Sequence, residues 1–465
     1  MSAPRQVDMQ ISRRSFLGTT LALAALGVPA RAQELTADGF VELRAQRVAL
    51  GLLEGGAGKT EAWLLGSGPG PAVIRARQGQ PLKLRIINDL DRDIWLHFFG
   101  VRGPTELMTI NVPPGADRAV DCVFTPPDAG TFWLAPMSDQ SRLRDMGLQA
   151  VLVVEEAVPL PGVSDLVMVL DDWKLADDGA VEGNFGDVEA MVGEGRLGNW
   201  FTINNRFRPR LDLAKDSYTR LRILNAANVR TMYLLFKGQN PLLIARDGQP
   251  VKPETLHGKA LALAPGERAD LLVVASEGDV TLALDLFEDV AEIGYLIAPP
   301  GSTRPASMAE NFMLPANPVD PLSAPDKMRA VAVTLEGGIK GGLTSARLNG
   351  AERDLRTLLE NGKGWAINGV AGPAAEPLFA AQKGETIRLD VENRTAFAQP
   401  LHIHGHAWQL LGGAAPAPFQ DTVVVPAGET VSLAFTAGNP GLWALHSLVA
   451  ERADGGLIAT FTVAE

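Results

Sequence analysis

Glu385-Thr-Ile-Arg-Leu-Asp-Val-Glu-Asn393 alternates apolar and polar residues and stops at an asparagine. Gln80-Pro-Leu-Lys-Leu-Arg-Ile-Ile-Asn88 and Tyr218-Thr-Arg-Leu-Arg-Ile-Leu-Asn225 do the same, with the three asparagines 137 and 168 residues apart. A repeat of this length points to one structural unit used three times. A second pattern recurs with it. Val112-Pro-Pro-Gly115 leads into a strand ending at Phe124-Thr125, then Gly130-Thr-Phe-Trp133; Val425-Pro-Ala-Gly428 leads to Phe435-Thr436, then Gly441-Leu-Trp443. In the middle, Ala264-Pro-Gly266 precedes Ala269 to Ala275. Period-two alternation broken by Pro-Gly turns predicts antiparallel strands with one buried face, so the fold class is all-β, built as sandwiches or Greek-key barrels.

Proline marks the divisions. Pro159 and Pro161 follow the strand Ala150 to Val154, and seven prolines fall between Ala298 and Pro325, where no sheet can hold them. The expected order is a signal segment at 1–32, domains at 33–157 and 158–300, a proline-rich linker at 301–325 and a third domain at 326–465. Helix is minor; Arg353 to Asn361 reads as a short one stopped by Gly362.

The first 32 residues read as an address. Arg13-Arg14-Ser15-Phe16-Leu17 precedes an apolar stretch to Ala30, too short to span a bilayer, and Ala30-Arg31-Ala32 fits a cleavage site. The arginine pair resembles a twin-arginine export signal, so the expected location is the periplasm, with no membrane span once the signal is removed. Removing it takes the formal charge from −12 to −15. So acidic a chain is a poor partner for phosphate, and nucleic-acid binding is excluded. The single cysteine, Cys122, rules out an internal disulfide and cysteine-rich metal sites, and reads as a small buried hydrophobe. Gly55-Gly-Ala-Gly58-Lys59-Thr60 lacks the first glycine of a phosphate loop and reads as a hairpin loop. Asp171-Asp172 and Asp177-Asp178 read as solvated turns, and His257 as a surface turn residue.

Chemistry rests on histidine. On a strand, His402 and His404 share a face, and imidazoles aimed at one point commonly hold copper or zinc. Gln399-Pro-Leu-His-Ile-His-Gly-His406 resembles the His-Pro-x-His-x-His-Gly motif of the multicopper oxidases. Trp95-Leu-His97-Phe98-Phe99-Gly100 sits where that family has His-Trp-His-Gly. Gly130-Thr-Phe-Trp-Leu-Ala-Pro-Met137 stands for Gly-x-x-Trp-x-His-Ser-His, and Gly441-Leu-Trp-Ala-Leu-His446-Ser447-Leu448 for the last His-Cys-His motif. The resemblance runs along almost the whole mature chain and implies three consecutive cupredoxin-like Greek-key β-sandwich domains.

It does not carry the copper ligands with it. The family's type 1 positions hold Ser447 for the cysteine, Gln399 and Arg452 for the histidines and Leu457 for the axial group. Of the eight trinuclear histidines four remain, His97, His402, His404 and His446; Phe99, Ala135, Met137 and Leu448 replace the rest. Without a thiolate no type 1 site forms, and four imidazoles cannot hold three coppers. The losses argue against multicopper oxidase activity. Two readings stay open. One is a cofactor-free binding or scaffold protein, similar to the SufI-like members of the family, working against envelope or cell-division protein partners. The other is a copper-binding oxidoreductase with one metal, copper or zinc, on His97, His402, His404 and His446.

Overall fold

The computed structural model describes residues 35–56, 59–66, 68–305, 312–413 and 416–465. The expected signal segment lies outside the described residues, as do positions 57–58 of the glycine loop and 306–311 of the proline-rich stretch.

The asparagine-ended strands Leu82–Asn88, Tyr218–Asn225 and Thr386–Asn393 occupy the same place in three successive β-sandwiches. Each lies between a parallel neighbour that opens its unit (Val41–Leu50, Val163–Trp173, Arg329–Gly337) and an antiparallel one (Gly115–Phe124, Arg268–Val274, Thr430–Thr436). The asparagine explains why the motif repeats. Asn88 Nδ2 donates to the carbonyls of Arg92 and Val112, while its Oδ1 accepts from the Leu90 N–H. Asn225 repeats this with Arg230, Leu263 and Ala227, and Asn393 with Phe397, Val425 and Thr395. Each amide thus satisfies backbone groups that would otherwise be buried unpaired where the chain leaves one sheet for the other.

The sheets are mixed rather than antiparallel throughout. Besides the parallel pairs above, Ala72–Arg77 runs parallel to Ala150–Glu155, Arg210–Asp212 to Val290–Ile297, and Ala380–Gln382 to Ile458–Ala464. Alternation in sequence records which face is buried, not the direction of the neighbouring strand. Apolar sides of the paired sheets enclose one core per sandwich, around residues such as Leu84 and Phe132, Leu221 and Leu282, and Leu389 and Phe461. Cys122 belongs to the first of these, and burial pushes its thiol up to about 11. The short helix is Leu355–Glu360, capped by Asp354 at the Thr357 N–H and followed by Gly362 at φ 66°.

A second buried face joins the units. Arg220, Arg222 and Leu224 alternate with Leu221 and Ile223, so they point away from the second core and under the first sandwich. Arg220 bridges Glu156 and Asp270, each at 2.6 Å, and Thr131 donates to Asp270 at 2.8 Å. The proline-rich stretch is pinned there too: Asn317 accepts from the Ala129 N–H and donates to the Ala129 and Gly248 carbonyls. This second face overturns one expectation. Asp171 and Asp172 are buried at the end of Val163–Trp173, not solvated; Asp172 takes Arg230 at 2.7 Å and the Gly198 N–H at 2.9 Å. Burial raises both carboxyls, Asp172 to about 6. Asp177 and Asp178 are exposed, as expected.

Candidate metal centre

The first and third sandwiches face one another through three strands. Ile94–Phe99 presents His97 and Phe99 on one face. In Gln399–Ile403 and the residues after it, Leu401 and Ile403 enter the third core, which turns His402 and His404 to the opposite side. Gly441–Ser447 pairs with that strand and sets His446 directly across from His402. All four sequence-predicted histidines are therefore brought together and are fully buried. His406 is not among them: its ring packs on Phe435, Phe461 and Trp443, and burial lowers it to about 4. His257 sits on an exposed turn at φ 51°.

Hydrogen bonds fix the tautomers. His97 Nδ1 meets the Leu107 carbonyl at 2.9 Å, His402 Nδ1 meets Asp421 Oδ1 at 3.0 Å, and His446 Nδ1 meets the Ser447 carbonyl at 2.7 Å. Those partners only accept, so each Nδ1 carries the proton and each Nε2 a lone pair. His446 Nε2 lies 2.9 Å from His404 Nε2, which must then be the donor. Burial first, then the adjacent imidazoles of His97, His446 and His402, hold His404 well below the usual histidine range. Burial also lowers His446, and lowers His402 against the pull of Asp421. Burial would raise Asp421 itself, but Arg268 and His402 outweigh it and hold that carboxyl well below the usual range.

Three coppers do not fit this arrangement. The Phe99 ring occupies the centre, 5.3 Å from the His402 ring, 5.9 Å from His404 and 6.0 Å from His446. His97 and His404 stack face to face, with centroids 3.7 Å apart and planes 7° from parallel, so their edges do not converge. Arg144, fully buried, lies over Trp133 at 4.7 Å and Phe99 at 5.5 Å and donates to the Leu448 carbonyl. Burial lowers this guanidinium only to about 10, so a permanent positive charge borders the pocket.

The residues at the positions that resemble the family's type 1 site bond to one another. Ser447 Oγ donates to Gln399 Oε1 at 3.2 Å, and Arg452 Nη1 donates to the same oxygen at 3.0 Å and to the Ala398 carbonyl at 2.8 Å. Arg452 is sandwiched by rings, 4.8 Å from Phe397 and 5.2 Å from Trp365, and Leu457 is fully buried beside it. None of these side chains offers a soft anion for copper, and the Arg452 guanidinium is a fixed cation.

Three nitrogens come close enough for a single cation, although the stacked His97 and His404 rings would have to turn toward it. One nitrogen from each of His97, His402 and His404 lies within 4.8 Å of the others; His446 is outside that set, its Nε2 engaged by His404. Among the described residues, His402 Nε2 has no hydrogen-bond partner, although it is fully buried. The Asp421 carboxylate behind His402 is the outer support that metal-bound imidazoles usually have.

Sequence reasoning did not find Asp421, Arg268 or Arg144. Arg268 donates to the Thr131 carbonyl of the first sandwich and to Asp421 of the third, so one guanidinium ties all three units beside the histidines. The available signal was weak: an acidic residue directly before the apolar run Thr422-Val-Val-Val425, and an arginine opening a strand otherwise wholly apolar apart from Asp270. A cavity of about 490 Å³ opens where the sandwiches meet, lined by Met137, Phe185, Met191, Glu451 and Asp454.

Comparisons agree with this geometry along the chain. Three domain profiles, each described as Multicopper oxidase, match residues 54–158, 165–282 and 349–465. Multicopper oxidase MmcO of Mycobacterium tuberculosis is 26% identical over 94% of each chain. Cell division protein FtsP of Escherichia coli is 27% identical over 98% of this chain and 99% of its own. A crystal structure of a multi-copper oxidase from Pseudomonas thermotolerans superposes with a TM-score of 0.78 at 28% identity, over 91% of this chain and 98% of the other.

Proposed function

The chain belongs to the multicopper oxidase family, and from that premise we propose that it is a non-catalytic member, exported to the periplasm by the twin-arginine route, that acts as a binding or scaffold protein in the envelope. The observation that carries this reading is the hydrogen-bonded Gln399–Ser447–Arg452 set. It replaces the centre through which the family takes electrons from substrate with side chains that satisfy one another. The collapse of the second centre around Phe99 and Arg144 supports the same conclusion. The likeness to FtsP, near full length on both sides, favours a cell-division context and a protein partner there.

His97, His402 and His404 support a second reading, one copper ion held by three imidazoles, because His402 Nε2 is a buried lone pair without a donor. Bound there, copper would supply one-electron chemistry without a thiolate relay; this chain's own part would be to hold the imidazoles, with Asp421 fixing the His402 proton at Nδ1. Metal analysis of the purified, copper-loaded full chain separates the two. The scaffold reading expects copper well below one per chain. One copper per chain, lost on His402→Ala, establishes the second reading in its place.

A further inference from the structure

The second sandwich turns between two strands at Asp285-Leu286-Phe287-Glu288-Asp289-Val290. Phe287 stands 80% exposed at the tip, with φ 68°, a conformation that a bulky side chain adopts at a cost. The turn is held by short-range bonds: the Phe287 N–H donates to Asp285 Oδ1, and the Leu286 N–H to the Asp289 carbonyl, both at 2.9 Å. Glycine or asparagine would close such a turn with less strain and no exposed ring.

The ring is not isolated. Its edge meets Tyr233 at 5.1 Å, and the register places Tyr233 and Leu235 on the sheet face opposite Leu234, Phe236 and the core. Val290, 42% exposed, flanks the tip. Tyr233 and Leu235 are half-buried, and with the exposed Phe287 and Val290 they form a partly exposed apolar strip. Its edge is acidic: Asp285, Glu288, Asp289 and Glu292, with no lysine or arginine from 285 to 292. Among the described residues none of the four carboxylates forms an ion pair; Arg208 lies near Glu292, donating to its carbonyl at 2.9 Å, so the negative field over the tip comes mainly from Asp285, Glu288 and Asp289.

We propose that the Phe287 hairpin and the strip of Tyr233, Leu235 and Val290 are a docking surface for a basic amphipathic segment of another protein. Phe287 enters the partner's apolar side chains, and the four carboxylates meet its lysines and arginines. This rests on the reading of the chain as one that works through its surface.

The test places a benzophenone photo-crosslinking residue at Val290 in the full exported chain, leaving Phe287 intact, with Val123 of the first sandwich, 57% exposed, as the control position. We expect a discrete protein adduct from 290 and not from 123, mapping to a segment with net positive charge. Phe287→Gly should cut the adduct at least tenfold while leaving thermal stability unchanged or higher, since it relieves strain. Glu288→Lys with Glu292→Lys should cut it equally. No adduct above the control, an adduct on lipid or on an acidic segment, or one indifferent to both variants overturns the proposal. Oxidase turnover by the purified chain would sink the surface reading and leave the adduct data intact; a missing adduct removes the hairpin and leaves the metal and turnover tests untouched.

Discussion

Arg268→Met removes the guanidinium that ties the three sandwiches together. In the native chain it donates to Asp421 at 3.0 Å through Nη1 and again through Nη2, to the Gly266 carbonyl at 3.0 Å and to the Thr131 carbonyl at 3.2 Å, and it lies 3.4 Å from Asp247. It has no exposed surface. Burial has already raised Asp247 well above its ordinary value, so the charge left uncompensated is that of Asp421. Breaking a buried pair from one side costs about 3–5 kcal/mol. If that charge is the main term, adding Asp421→Asn should return part of the loss. The double variant should then cost ~1–3 kcal/mol, the worth of the remaining lost hydrogen bonds. Urea unfolding followed by tryptophan fluorescence on wild type, both single variants and the double gives the coupling, the sum of the two single losses less that of the double, expected to exceed ~2 kcal/mol. Additive losses, or a single-variant cost within ~0.5 kcal/mol of zero, would refute the claim that this pair clamps the sandwiches around the histidines.

Three other outcomes follow from the same geometry. Gly100→Ala should destabilise by a similar ~3 kcal/mol: Gly100 has φ 84°, and an added Cβ would collide with Arg268 Nη2 and Asp421 Oδ2; a thermal scan matching wild type would contradict this. Asp454 takes the Ser141 N–H at 3.0 Å and is raised by burial to about 7, so the folded chain holds its proton longer than the unfolded one. Stability should fall as pH rises from ~4 to ~7, by up to ~4 kcal/mol from this group, with no further change from it above that, and Asp454→Asn should remove that share of the fall and leave the share due to Asp145, Asp171 and Asp172, which burial also raises. Rebuilding the missing ligands with Gln399→His, Ser447→Cys and Arg452→His should produce an intense visible thiolate–copper band on copper addition; a colourless product would mean that the frame, and not only the ligands, has changed.

Much of the fold was legible because its rules are local. Alternation set the strands, and the buried amides of Asn88, Asn225 and Asn393 show why one motif had to recur at each crossing between sheets. The histidine cluster was legible for the same reason: the parity of Leu401 and Ile403 leaves only one side for His402 and His404. Faces buried twice were not. A strand such as Tyr218–Asn225 looks half polar, yet Arg220 and Arg222 lie under the neighbouring sandwich, and Asp171 and Asp172, which read as solvated, are interior. Polarity alone does not tell a solvated charge from one paired across a domain boundary. Nor does ligand spacing reveal that His446 spends its lone pair on His404, or that Arg144 borders the pocket; both depend on how separate sandwiches meet.

The proposed loss of electron transfer is tested most directly by dioxygen consumption with a phenol or cuprous ion as reductant, using the purified, copper-loaded full chain. The self-bonded Gln399–Ser447–Arg452 set predicts no uptake above that of free copper at the same concentration. Sustained uptake that disappears in His402→Ala would contradict it.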